Sequence, residues 1–180
     1  MGSPKRASRT THESECGQAW HLAVKPERPR DPKEMLRPKL VTPHLVIAPR
    51  FGFDSAGRYA ISRSPMITSS LQGSVQEDHL LFLLGVLNSS ACFWDLARRS
   101  HIYSHGYSRL ELATMKGIRI PNFRQLDQSV ARRIIKLVQS RIKATGTAAF
   151  QIEAIIDDLV ADLYGLSADD RRVVGMLGDK

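Results

Sequence analysis

A chain of 180 residues with a formal net charge of +8 and a pI near 9.9 is long enough for one domain with a buried core, and its basic balance suits phosphates or an anionic surface. Hydrophobic residues at 42% and charged residues at 24% sit near globular averages and argue against wholesale disorder or a coiled coil. The longest apolar run, Leu80 to Leu87, is far shorter than the roughly 20 residues that cross a bilayer, so no membrane partner is expected.

The only cysteines, Cys16 and Cys92, are too few for a disulfide framework and too far apart for a metal knuckle, which points to a reducing cytosol without structural zinc. No apolar signal region opens the sequence, so secretion by that route is not expected. The excess of positive charge lies in the first two thirds of the chain.

Residues 1–34 are rich in Ser, Thr, Pro and Arg, with Trp20, Leu22 and Val24 as their apolar cluster. They read as a flexible lead-in or linker. A single domain is expected over 35–180. From Lys39 to Phe53 the β-branched density predicts strands broken at Pro43 and Pro49, with a turn at Asp54 to Gly57. Arg58 to Ser62 and Met66 to Leu71 continue the strand character, giving an antiparallel meander with long side chains on its exposed face.

Glu77 and Asp78 then place negative charge at the start of a helix whose sequence HLLFLLGVLNS is hydrophobic all round, as a buried helix is. A second short helix is predicted over Ala91 to Arg99, followed by a polar and aromatic loop and one more strand at Ile118 to Pro121. The rest, 126–177, reads as helical. Val130, Ile134, Leu137, Val138 and Ile142 form one stripe, and Ile155, Ile156, Leu159, Val160 and Leu163 form a second that packs on it as a hairpin. Gly165 ends that helix, and Ser167 with Asp170 three residues on starts the last one. The fold class that results is α+β: a small mixed β-sheet with a buried helix, followed by a C-terminal helical hairpin or bundle.

Catalytic signatures are missing from this pattern. There is no P-loop, no GxGxxG turn and no GxSxG elbow. His101 and His105 are four apart, but Gly106 and the neighbouring serines make their segment a loop, and no Cys or carboxylate stands near to complete a metal site. Asp157, Asp158 and Asp162 read as the solvated face of an amphipathic helix. The chain alone is therefore not expected to be an enzyme. What stands out is the series Arg98, Arg99, His101, Tyr103, His105, Tyr107 and Arg109, with Arg50, Arg58, Arg63, Lys39, Lys116 and Arg119 elsewhere. Interleaved cations and aromatics can hold phosphates, fork onto guanine and stack on exposed bases. The same residues also suit half-buried loop anchors and solubilising arginines.

The order RPKLVTPHL, FGFDSAGRY, LLFLLGVLNSS, GYSRLEL leading to IRIPNF, and IEAIIDDLVADLYGLSADD resembles the TaqI-like C-terminal specificity domain of adenine-specific DNA methyltransferases and fused restriction-modification enzymes, over roughly residues 36–175. Its most specific pieces are Leu83 to Ser90, Ile120-Pro121 and Ile156 to Ser167. The resemblance implies a target-recognition domain that binds double-stranded DNA in a bacterial or archaeal cytoplasm. It also implies a partner methyltransferase domain, in cis or in trans, that carries S-adenosylmethionine and an Asn-Pro-Pro-Tyr type motif. This sequence holds no Pro-Pro dipeptide, so no cofactor is expected in it. A protein-interaction module of a phage-defence or restriction complex is the alternative.

Overall fold

The computed structural model describes residues 11–13, 19–21, 32–48, 50–61 and 64–175. Most of the expected lead-in lies outside them, as do Ser62 and Arg63. Within the lead-in, β1 (Thr11–Glu13) and β2 (Ala19–His21) pair antiparallel with Thr11 opposite His21, and a short helix α1 (Pro32–Met35) follows.

The architecture is α+β. Strands β3 (Lys39–Val41), β5 (Gly52–Asp54) and β6 (Met66–Ile67) make one three-stranded sheet in the order β5-β3-β6. Strands β4 (Leu45–Val46), β7 (His101–Ile102) and β8 (Ser108–Arg109) make another in the order β4-β8-β7. Every pairing among the described strands is antiparallel, so the expected mixed sheet is two small antiparallel ones.

Three expected strands are shorter or absent because their backbone groups are bonded elsewhere. The Asp54 carboxylate accepts from Arg58 N and Tyr59 N, both at 3.0 Å, and Arg58 to Ile61 runs irregularly. Ser69 Oγ accepts from Leu71 N at 3.0 Å, and β6 stops at Ile67. Ile118 to Pro121 forms no strand: Ile118 N donates to Met115 O at the end of a short helix α4 (Leu112–Lys116), Arg119 O accepts from Tyr164 Oη at 2.7 Å, and Pro121 has no N–H.

The core is built around α2 (Ser74–Leu87), buried without interruption from Leu80 to Leu87. A helix covered on all sides has no polar face to keep, so its sequence shows no stripe. Helices α5 (Gln128–Lys143) and α6 (Gly146–Leu163) pack as a hairpin and both contact α2, while β3 and β5 also pack on α2. Gly85 permits that approach: a Cβ there would lie 2.9 Å from the Cγ2 atoms of Ile134 and Val138. Ala131, Ile134, Ile135 and Val138 form the buried face of α5, and Ala149, Ile156, Val160 and Ala161 that of α6. Ile142 and Ile155, expected on these stripes, are exposed instead. Gly165 (φ 64) and a bond from Leu166 N to Ala161 O end α6, and the Ser167–Asp170 pair starts α7 (Ala168–Gly175).

The turn Asn88-Ser89-Ser90 stitches these parts together. Asn88 pairs through its amide with both backbone groups of Phe51 (2.8 and 3.0 Å). Ser89 caps α3 (Ser90–Arg99) by accepting from Cys92 N. Ser90 N and Oγ both donate to Asp157, at 2.9 and 2.6 Å. Asp157 therefore is not on the solvated face: it seals the N-terminus of α3, and its burial outweighs those bonds and raises its pKa. Asp158 and Asp162 are exposed and face Arg171. Lys39, expected among the outward cations, has no exposed surface and pairs with Asp54.

Candidate nucleic-acid interface

The segment expected as a loop after α3 is a two-stranded ribbon. His101 stands opposite Arg109 and Ile102 opposite Ser108. A single 3-10 turn, Ser104–Gly106, closes it, with Tyr103 N donating to Tyr107 O at 2.6 Å and His105 in the left-handed region at φ 65, which His tolerates better than a branched residue. The tip therefore presents side chains outward: His101, Ile102, Tyr103, His105 and Tyr107 are all exposed, Ile102 at 76%.

β8 is the central strand of its sheet, with Leu45 of β4 opposite Arg109 on the other side. Alternation along the chain sends Ser108 and Leu110 into the core and leaves Tyr107, Arg109 and Glu111 on the outer face. Arg109 is held there. Its Nε–H donates to His44 Nε2 at 2.9 Å, and the Glu111 carboxylate lies 3.2 Å from the same nitrogen. Arginine has no acceptor, so His44 Nε2 must accept, and the neutral ring carries its proton on Nδ1, a buried atom with no partner among the described residues.

Arg98 and Arg99 close α3 just before the ribbon. The Arg98 guanidinium lies 4.4 Å from the centroid of the Trp94 ring, a cation–π arrangement that leaves its outer edge in water. Arg99 is paired with Asp95 one turn back at 2.8 Å. The seven residues from Arg98 to Arg109 thus occupy one ribbon and the helix end that feeds it.

The remaining candidates lie elsewhere. Arg50 is exposed on the segment between β4 and β5 and makes no ion pair among the described residues. Arg58 is exposed in the turn after β5, Lys116 and Arg119 are exposed on and after α4, and Arg63 lies outside the described residues. Lys39 belongs to the interior. Glu111 and Asp95 are legible from spacing alone, two residues along a strand and four along a helix from their arginines. His44 carries no such signal, because it meets Arg109 only through the pairing of β4 with β8.

A cleft of about 320 Å3 opens between α3, the 118–119 segment and α7, lined by Trp94, Val173, Arg99 and Arg119 among others. Cys92 also lines it, and burial pushes that thiol up to about 12, so it stays protonated and unreactive. Among the described residues no group of three or more His, Cys, Asp or Glu is placed to hold a metal ion, and no single helix is long and apolar enough to cross a membrane.

No family model matches the chain, and no curated protein matches its sequence.

Proposed function

We propose that this chain is a sequence-specific DNA-binding target-recognition domain serving an adenine-specific DNA methyltransferase or fused restriction-modification enzyme, with the S-adenosylmethionine-binding catalytic domain supplied in cis or in trans. The observation that carries this reading is the β7–β8 ribbon. The major groove admits a two-stranded β-ribbon, and this one displays two tyrosines, two histidines and a positioned arginine, with Arg98 at its base. Methylating an adenine amino group requires the base to leave the stack, so a separate element must hold the duplex and read its neighbours. The ribbon would do that work.

Fluorescence anisotropy with labelled duplexes tests it. A duplex selected from a randomised pool should bind the full chain at least tenfold more tightly than random DNA, with affinity falling steeply with salt. Ile102 and Tyr103 favour a second reading, since large exposed apolar groups at a ribbon tip also suit a protein partner. Weak, salt-sensitive duplex binding without sequence preference would replace the first reading with that one.

A further inference from the structure

We propose that Arg109 reads a guanine, with His44 and Glu111 as its positioning residues; this rests on the DNA-reading function proposed above. Arginine has five N–H donors in a rigid fork. Here the Nε–H is taken by His44 and faces Glu111, while Nη1 and Nη2 make no hydrogen bond among the described residues. The edge left over is therefore the end-on pair of amino groups, which matches the O6 and N7 acceptors of guanine in the major groove. Its direction is set by the sheet. Arg109 projects from the central strand on the outer face, between the directly opposed Leu45 and His101, both exposed.

Two physical arguments favour a base over a phosphate. Glu111 offsets part of the charge of Arg109, which weakens its pull on a phosphate and would set a carboxylate close to one. The guanine edge, which carries no net charge, suffers both effects less. Clamping Nε also removes rotamer freedom before binding, so the fork arrives ordered and its directionality becomes discrimination rather than general affinity. Arg98 is the contrasting case: it sits on Trp94 without an acidic partner among the described residues, the arrangement of a phosphate anchor.

The test uses the full chain and the duplex selected from a randomised pool. Each guanine in it is replaced in turn by 7-deazaguanine, which keeps base pairing and removes the N7 acceptor. The wild type should lose affinity at least about 5-fold at one such position. Arg109→Ala should bind that modified duplex and the parent equally well, so the two changes couple in a double-mutant cycle. Arg109→Lys, which keeps the charge and can still donate to N7 but lacks the fixed fork, should keep only part of that discrimination. His44→Gln, whose amide oxygen can accept from Nε, should retain it better than His44→Leu, and thermal melts of each variant report whether the fold is kept. If R109K and R109A discriminate at every guanine as the wild type does, the assignment of Arg109 is wrong while the DNA-reading function stands. If the wild type selects no duplex over random DNA, both are overturned.

Discussion

Lys39 Nζ lies 2.5 Å from Asp54 Oδ2, and neither side chain is more than 2% exposed. The pair spans β3 and β5, Lys39 also donates to Met35 O at 2.6 Å, and Asp54 also takes Arg58 N and Tyr59 N. Burial pushes the Asp54 carboxyl up, but the Lys39 bond and the two backbone donors together hold it below the ordinary aspartate value. Asp54→Ala strands an ammonium in the interior and should cost about 3 kcal/mol or more. The double variant K39M/D54N should melt closer to wild type than either single change, as read by urea denaturation. Because the folded pKa is lowered, this stabilisation is present above pH 3.8 and is lost as pH falls through the folded value.

Asp157 should behave with the opposite sign. Burial raises its pKa above 3.8, with Glu153 and Asp158 adding to the effect and the Ser90 bonds opposing it. The folded state then holds its proton more tightly than the unfolded chain. The contribution of Asp157 to stability is full below pH 3.8 and declines as pH rises through the raised value. Asp157→Asn keeps an acceptor for Ser90 N and should flatten that part of the stability profile without loss at neutral pH. Asp157→Ala leaves Ser89 as the cap but removes the acceptor of Ser90 N and Oγ at the first turn of α3, and should cost about 1 kcal/mol. Equal pH profiles for wild type and D157N would show that the carboxyl is not strained by burial.

The contact between α2 and α5 depends on the missing side chain of Gly85. A methyl group there meets the Cγ2 atoms of Ile134 and Val138 at 2.9 Å, and β-branched side chains have little freedom to turn away. Gly85→Ala should lower stability by about 1–3 kcal/mol despite the better helix propensity of alanine. Adding Val138→Ala should recover part of the loss. A G85A chain with an unchanged urea midpoint would mean that the two helices can separate freely.

Arg98 and Arg99 are adjacent in sequence but should differ in salt dependence. Arg99 already faces Asp95, whereas Arg98 lies over Trp94 without an acidic partner among the described residues. If the proposed DNA function holds, Arg98→Ala should reduce the slope of log affinity against log salt by about 0.9, the value for one phosphate contact, and Arg99→Ala by much less. Titrating duplex affinity between low and moderate salt for both variants measures the difference. Equal slopes for the two would remove Arg98 as the phosphate anchor.

Periodicity made the helical half legible. Leu80 to Leu87 reads as a buried helix because eight consecutive core residues leave no polar stripe. The stripes through Ile134 and Val138, and through Ile156 and Val160, mark the hairpin that covers it. Gly165 and the Ser167–Asp170 pair ended one helix and began the next as their chemistry dictates. Each of these signals lies within a few residues of its effect. The start of α6 at Gly146 left less of a signal, since Gly146 to Ala149 is small and shows no stripe, and the helix begins well before the expected stripe opens at Ile155.

By itself, then, the sequence determined the α+β class, the order of the five longer helices among the described residues and the segment that carries the aromatic and basic side chains, because propensity, periodicity and capping are local, while the short helices α1 and α4 left no such signal. Only the tertiary structure decided what the charged groups do. Lys39 is interior because Asp54, 15 residues away, reaches it. Asp157 holds the first turn of α3 because Ser90, 67 residues away, lies against it, and Arg109 is aimed because His44, 65 residues away, takes its Nε–H. The strand readings at Arg58 and Ile118 failed for the same reason, since Asp54 and Tyr164 claim backbone groups that a ladder would need. An ionisable side chain or a backbone donor reads alike in any short window, and its energy depends on the partner that folding brings to it.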